Sequence, residues 1–314
     1  MIVVTADFHL NINNRIEDYR KSLQQISDIA NQNELLLILG DIYHVRRPIP
    51  REQNIFRDFL KTLKVPTVIV VGNHDKDIDA TTLDEFRKFD ISNVKLQFAP
   101  YILEYKNLKL YLDHALIEGA KLGPTDVILD MREAVKIEDI LKKVQADFYL
   151  LGHIHKAQII RKNPPMLYTG SIERVDFAER NENKYVVLID PETKVYGFKK
   201  LNIRPMQQIE IDLNVSQDIP KVLEEGSIVK AVIKGTKEQI QKYNEAPLRD
   251  SLVKSLTYKI VHDVVKENKT RNNQISETKT TLDSFNEYAK TKEFNEYTTQ
   301  LGIKLMNEVD EKCI

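Results

Sequence analysis

The stretch "VPTVIVVGNHDKD", residues 65–77, runs five β-branched residues, Thr67 to Val71, straight into Gly72-Asn73-His74-Asp75. A short, continuous apolar run of this kind marks a strand covered on both faces, as in parallel sheets. Its abrupt end in polar side chains means either a turn or a strand that holds those groups at the lip of a site. The same pattern recurs along the first two hundred residues. "MIVVT" (1–5) leads into Asp7-Phe8-His9, and "ELLLIL" (34–39) into Gly40-Asp41-Ile42-Tyr43-His44. "LKLYL" (108–112) leads into Asp113-His114, and "DFYLL" (147–151) into Gly152-His153-Ile154-His155.

Helix-period stretches alternate with these strands. Residues 14–32 set Ile16, Tyr19, Leu23, Ile26 and Ala30 on one face, and residues 50–63 begin at Pro50, a residue suited to a first helical turn. Residues 81–89 and 136–146 read as further helices, and 183–201 as a hairpin turning at "DPET". The β-α-β order predicts an α/β fold with sheet between helices over residues 1–203. Residues 204–266 read as a small α+β domain, with strands in 207–213, 227–235 and 256–265 and helix in 237–255. Residues 267–280 are polar, lack an apolar period and read as a linker. Residues 281–314 read as helical, with one stripe of Leu282, Phe285 and Ala289 and a second of Phe294, Tyr297, Leu301, Leu305 and Val309.

The 314 residues are 42% hydrophobic and 30% charged, enough for a large core beneath a well-solvated surface. A single cysteine, Cys313, allows no intrachain disulfide and points to an intracellular, cytoplasmic setting. The N-terminal "MIVVTADFHL" lacks the basic start and long apolar run of a signal peptide, and no stretch is apolar over the ~18 residues of a membrane span. The net charge of −1 is uneven: −2 over 1–198, +4 over 199–275 and −3 over 276–314. The mildly basic middle permits nucleic-acid contact.

Six of the seven histidines lie at the five strand ends; His262, within a strand-like run, reads as an ordinary strand residue. Ligands in open α/β sheets bind along the carboxyl edge of the strands, so five segments would deliver His, Asp and Asn to one place. Residues two apart in an extended strand point the same way, which lets Asp7 with His9, and His153 with His155, face a metal. Gly40, Gly72 and Gly152 precede the polar residues and allow tight approach. The donors suit Mn²⁺, Fe²⁺ or Zn²⁺, and seven are too many for one tetrahedral ion but suit two ions with a carboxylate between them.

The order DxH, GDxxH, GNHD, H, GHxH over residues 1–200 resembles the calcineurin-like metallophosphoesterase superfamily. The segment "YTGSIERVDFAERNENKYVVLID" (168–190) and the histidine at position 44 resemble, more narrowly, the SbcD-type nucleases of DNA double-strand-break repair. The resemblance implies a β-sandwich flanked by helices, a capping domain and C-terminal helices. It implies Asp7, His9, Asp41 and His155 on one ion, and Asp41, Asn73, His114 and His153 on the other, with Mn²⁺ the usual metal. His74 would protonate or stabilise the leaving oxygen, Asp75 would orient His74, and His44 would contact the scissile phosphate.

The same resemblance implies 3′-to-5′ exonuclease action on duplex ends and endonuclease action on single strands. The cap would hold DNA, with Lys230, Lys234, Lys237, Lys242, Arg249 and Lys254 as basic contacts; their plainer reading is a solvated face. Ile55, Phe56, Phe59, Leu60 and Leu63, with Leu83, Phe86 and Phe89, would form a homodimer interface, unless they pack on the sheet. The terminal stripes, Leu282, Phe285, Phe294, Tyr297, Leu301 and Leu305, would dock on the coiled coil of an SbcC-type ABC ATPase, or fold back on the core. The chain has no GxxxxGK[ST] loop of its own. Two other readings stay open: a small-molecule or cyclic-nucleotide phosphodiesterase, and a non-catalytic DNA-binding scaffold.

Overall fold

A computed structural model of the chain describes residues 1–11, 15–76, 83, 93–123, 127–128, 134–219, 224–265 and 281–310. The expected helix over 81–89 with Phe86 and Phe89, the linker 267–280 and Cys313 lie outside the described residues. The chain forms two compact units. One is Met1–Ile209 with Pro220–Ala231 and Ala246–Ile260; the other is Glu210–Ile219 with Val232–Glu245 and Val261–Ile314.

The first unit is a sandwich. Strands β1 (Ile2–Thr5), β2 (Leu35–Ile38), β3 (Thr67–Val71) and β4 (Val94–Phe98) run parallel in that order. Strands β5 (Tyr101–Tyr105), β6 (Leu108–His114), β9 (Phe148–Gly152), β10 (Gln158–Lys162) and β11 (Pro165–Tyr168) form a second sheet, ordered β10-β11-β9-β6-β5, with β6, β9 and β11 parallel. A separate two-stranded ribbon pairs β7 (Lys121–Leu122) with β8 (Val127–Ile128). The hairpin of β12 (Tyr185–Ile189) and β13 (Tyr196–Lys200) adds to the first sheet antiparallel to β1.

Alternation within the apolar runs explains the layering. Ile2, Val4, Leu35, Leu37, Val68 and Val70 face Leu110, Leu112, Phe148 and Leu150 between the sheets. Val3, Leu36, Ile38 and Ile69 turn the other way, toward Tyr19, Leu23 and Ile26 of helix α1 (Ile16–Asn31) and Phe56, Phe59 and Leu60 of helix α2 (Pro50–Thr62). On the far side of the second sheet, Tyr111, Tyr149, Leu151 and Tyr168 pack with Ile140 of the helix Ile137–Lys143. The helix-flanked α/β sandwich expected from the sequence is the fold observed.

The apolar stripe of α2 is used in this core. Ile55, Phe56, Phe59, Leu60, Leu63 and Leu83 are all buried within the single chain, and Phe8 packs edge-on against both Phe56 and Phe59. Each such side chain gains about 1.5–3 kcal/mol from burial where it is. Within the single chain the stripe is thus packed into the core.

Strands β14 (Met206–Asp212), β15 (Ile228–Gly235) and β16 (Thr257–Val264) form a three-stranded sheet in that order, accompanied by short helices Lys237–Lys242 and Ala246–Ser251. Thr236 caps the first of these helices, its hydroxyl accepting from the Gln239 N–H while the Gln239 side chain returns to the Thr236 N–H. The terminal segment forms two helices, Thr281–Thr291 and Glu296–Asp310. Tyr288 meets Phe294 edge-on at 5.9 Å across their junction, and Phe285 packs so closely on Gly302 that a Cβ there would enter its ring. Phe285 and the buried Ala289 thus hold the hairpin together, while Tyr297, Leu301 and Leu305 stay exposed. Leu282 and Phe294 are only partly covered. Among the described residues no helix is long and apolar enough to cross a membrane.

Candidate active site

All five polar strand ends of the first unit converge. Asp113 and His114 close β6, but the other residues lie beyond their strands: β1 ends at Thr5 and β9 at Gly152. Asp7, His9, Asp41 and His153 instead hold left-handed backbone, with φ of 52°, 44°, 53° and 100°. Such conformations cost non-glycine residues on the order of 1–3 kcal/mol each and gather at functional sites. The pleat argument is corrected accordingly. Asp7 and His9 are aimed by a curl of the chain, and His153 and His155 join different halves of the site. The glycines serve close approach of one segment to another: a Cβ on Gly72 would overlap Asp41 Oδ1, and one on Gly40 would lie 2.6 Å from the Gly72 backbone.

In one half, His9 Nε2 lies 2.9 Å from His155 Nε2 and 3.6 Å from Asp41 Oδ2. Asp7 is close by and fully buried, its two oxygens accepting from the His153 backbone N–H at 2.9 and 3.1 Å. In the other half, Asn73 Oδ1 is 3.0 Å from both His114 Nε2 and His153 Nδ1, and His114 Nε2 is 3.2 Å from Asp41 Oδ2. Asp41 belongs to both. One donor atom each from Asp41, His114 and His153 lies within 4.8 Å of the others, and so do those of His9, Asp41 and His74. His74 therefore borders the first half closely, although the resemblance leaves it out of the ligand set.

His114 provides the clearest test of whether this donor set fits a cation. Its Nδ1 must donate to the Leu39 carbonyl at 2.6 Å, since a carbonyl only accepts. A neutral ring then turns the lone pair of Nε2 toward the oxygens of Asn73 and Asp41, with Asp7 Oδ1 3.9 Å away. Only a proton or a metal ion among these atoms makes the arrangement favourable. Burial works against a His114 cation, yet the Asp41 and Asp7 carboxylates outweigh it and hold the group up to about 9. Burial also opposes the Asp41 charge, but the bond to His114 and the charges of His114 and His9 bring it well below the usual carboxylate range. Burial, with His155 next in weight, pushes His9 down to about 3, leaving it neutral with an open lone pair. Burial raises Asp7 to about 6. Separations of 2.9–3.2 Å between donors match the edge, about 3 Å, of an octahedron with bonds of ~2.1 Å. The residues fit two divalent ions sharing Asp41.

His74 and His44 stand beside the first half. Ring centroids of His9 and His74 are 4.9 Å apart, those of His9 and His44 5.6 Å, and the His44 and His74 rings stack at 6.1 Å. His74 Nδ1 donates to the His44 carbonyl at 2.7 Å, and its backbone N–H donates to Asp41 Oδ1 at 2.9 Å. The orienting partner of the His74 ring is thus the His44 carbonyl and not Asp75. The buried Asp75 carboxylate accepts instead from the backbone N–H groups of Asp41, Ile42 and Gly72 at 2.9–3.0 Å, tying the loop after β2 to the loop after β3. That correction moves Asp75 from the chemistry to its framework.

The sequence reading missed the groups that support His155. Its Nδ1 lies 2.8 Å from Glu179 Oε1, while Glu179 Oε2 takes the Lys184 ammonium at 2.6 Å. Lys184 is 1% exposed and donates also to the His155 carbonyl and to Glu182. Burial opposes the Glu179 charge, but His155 and Lys184 hold it at about 2. Both residues lie inside the 168–190 segment, but among its many other charged residues nothing in the sequence singles them out. Of the six basic cap residues, Lys230 is half-buried and the rest exposed. Lys230, Arg249 and Lys254 belong to the first unit and Lys234, Lys237 and Lys242 to the second. His262 pairs with Glu245 at 2.7 Å, away from these donors in role.

The family model for calcineurin-like phosphoesterase matches residues 1–157. An uncharacterized protein of Acanthamoeba polyphaga mimivirus is 21% identical, over 98% of this chain and 26% of its own length. The chain thus spans about a quarter of that curated relative. Among solved structures, an archaeal phosphodiesterase is 18% identical, covering 64% of this chain and 99% of its own with a TM-score of 0.43. A hypothetical protein from Pyrococcus horikoshii is 14% identical, covering 65% and 89%, with a TM-score of 0.41. A Pseudomonas putida nuclease is 17% identical, covering 60% and 84%, with a TM-score of 0.34. The chain belongs to the calcineurin-like phosphoesterase family of metal-dependent hydrolases.

Proposed function

We propose that the protein is a two-metal DNA nuclease of the SbcD type, acting with an SbcC-type ABC ATPase in double-strand-break repair. The observation that carries the phosphodiesterase chemistry is the pair of donor groups sharing Asp41, with His74 and His44 alongside. The DNA reading draws its support from the 168–190 segment and from His44 in GDxxH.

In this reading Asp7, His9, Asp41 and His155 hold one ion, and Asp41, Asn73, His114 and His153 the other, with manganese matching this mix of carboxylate, imidazole and amide oxygen. Two such ions lower the pKa of a bound water and neutralise phosphate charge. The protein supplies orientation and a proton path. His74, its Nδ1 occupied by the His44 carbonyl, presents Nε2 to the leaving oxygen. The His44 ring contacts the scissile phosphate beside it. Asp75 keeps the loops of Asp41 and His74 in register.

The test uses linear duplex DNA labelled at either end, with Mn²⁺, Mg²⁺ or EDTA, for wild type and His74→Gln. Manganese-dependent release from 3′ ends, reduced in the variant by about 10²–10⁴-fold with both ions still bound, is the expected result. Cleavage of a small aryl phosphodiester but never of DNA would move the substrate to a small phosphodiester. DNA affinity carried by phosphate contacts falls steeply with salt, and a flat log-log slope would remove the basic cap residues from the interface. The exposed Tyr297, Leu301 and Leu305 form the proposed ATPase-docking face. Deleting residues 276–314 abolishes ATPase binding in this reading and spares manganese-dependent cleavage. The homodimer belongs to the same reading, and sedimentation showing only a 36.5 kDa monomer at micromolar concentration would count against it.

A further inference from the structure

We infer that Glu179 is a positioning residue that fixes the tautomer of His155, with Lys184 and the Val175 N–H locking its carboxylate in place. The inference rests on the reading of His155 as a metal ligand and extends it to how that ligand is made ready.

Every neighbour of the Glu179 side chain named here is a donor. Oε1 meets His155 Nδ1 at 2.8 Å. Oε2 accepts from Lys184 Nζ at 2.6 Å and from the Val175 N–H at 3.2 Å. Lys184 in turn directs its three N–H bonds to Glu179, to Glu182 at 3.1 Å and to the His155 carbonyl at 3.0 Å. One buried ammonium therefore grips both the main chain of His155 and the carboxylate on its ring. A carboxylate only accepts, so Nδ1 carries the hydrogen, and in the neutral ring Nε2 keeps its lone pair. That Nε2 is the atom 2.9 Å from His9 Nε2.

The amide of Glu179→Gln cannot reproduce this. Its NH₂ cannot face an ammonium and a backbone N–H, so its carbonyl stays on the Lys184 side. The NH₂ then points at His155 Nδ1, which must accept. The ring hydrogen moves to Nε2, where it blocks the donor position. Gln is nearly isosteric, so packing is preserved while the tautomer is reversed.

The experiment combines two readouts on the full-length protein. Long-range ¹H–¹⁵N NMR of histidine-labelled, metal-free protein, at a pH where the rings are neutral, reports the tautomer of His155, assigned by loss of its signals in His155→Gln. Calorimetric Mn²⁺ titration reports the number and affinity of ions. Wild type is expected to show hydrogen on Nδ1 and two ions. Glu179→Gln is expected to show hydrogen on Nε2 and an affinity for one ion weaker by about 10–100-fold, the other unchanged. Glu179→Asp, which keeps a carboxylate, recovers part of that loss, and Glu182→Gln leaves both ions in place. An unchanged tautomer, an affinity within about twofold of wild type, or an equal loss in Glu182→Gln would overturn the inference. Retention of both ions by His155→Gln would instead overturn the ligand assignment beneath it.

Discussion

His114 and His155 each use Nδ1 on the protein so that Nε2 faces the site, yet one meets a main-chain carbonyl and the other a carboxylate. His114 ends β6, and its ring hydrogen goes to Leu39, the residue just beyond β2. His155 lies on a loop, and its ring hydrogen goes to Glu179, itself fixed by buried Lys184. The half of the site with His114, Asn73 and His153 is therefore framed by the spacing of strands. In the half with Asp7, His9 and His155, the main chain of Asp7 and His9 is likewise tied to Gly40 and Asp41, but the His155 ring is framed by side chains from the 168–190 segment. Backbone framing comes with the fold and resists point substitution. Side-chain framing is tunable, and a single chemical change can remove it.

Asp41 is where the two halves meet, and its substitution gives the largest expected effect. Asp41→Asn keeps the acceptor for the His74 N–H but removes the charge common to both donor groups. Hydrolysis of an aryl phosphodiester should fall by on the order of 10³-fold or more, and Mn²⁺ titration should lose both ions. Retention of one ion at wild-type affinity would show that the halves are independent and that Asp41 serves only one.

A side-chain truncation cannot remove the carbonyl that frames His114, but added bulk can displace it. A Cβ on Gly152 would overlap the Leu39 carbonyl and lie 2.7 Å from His114 Nδ1. Gly152→Ala should lower stability by about 1–3 kcal/mol, as overpacking does, and weaken the ion near His114 first. Thermal melting of the metal-free protein reads the first effect and Mn²⁺ titration the second. Glu179→Gln should show the opposite profile, with an altered ion and little change in melting. If both variants melted alike, the contrast between backbone and side-chain framing would fail.

Metal removal bears on both halves together. Burial of Asp7, Asp41 and His114 is tolerated without an ion only through their mutual pairing, so bound cations stabilise the folded chain. Mn²⁺ at about a hundred times its Kd should add about 2.7 kcal/mol per site over an EDTA-treated sample. That corresponds to about 5–10 °C in Tm for a unit of this size. An unchanged Tm would mean that the donors do not bind the ion in the folded state.

The donor residues of both halves were legible in the sequence; the groups that frame His155 were not. Buried parallel strands are continuous apolar runs, so the ends of β1, β2, β3 and β9 stood out at once, as did the polar residues placed there. The half-exposed edge strands β4, β5 and β10 carry mixed patterns such as "VKLQF" and were not read as strands. The left-handed φ of Asp7, His9, Asp41 and His153 has no sequence mark, because it falls on the ligands themselves and, of the adjacent glycines, Gly40 shares it while Gly72 and Gly152 do not. The apolar stripe of α2 looks the same in sequence whether it meets a sheet or a second copy, and its burial within the chain appears only in the packing. Glu179 and Lys184 were visible as residues but not as a pair, since their partner, His155, is reached only through the fold.

The smallest effect separates main-chain from side-chain support within the tunable half itself. Ser171 is fully buried and acts on this loop twice: its backbone N–H donates to the His155 carbonyl at 3.1 Å, and its hydroxyl donates to the Glu173 carbonyl at 2.8 Å. Ser171→Ala deletes the hydroxyl's bond to Glu173 and its marginal 3.5 Å contact to the His155 carbonyl, and keeps the N–H bond. The expected cost is about 1 kcal/mol, the net worth of one hydrogen bond, or a few degrees in Tm. Mn²⁺ affinity should stay within about twofold, because the backbone grip on His155 and the Glu179 contact to its ring are both intact. A tenfold loss of one ion would mean that the path of the loop, and not the carboxylate of Glu179, sets the position of His155.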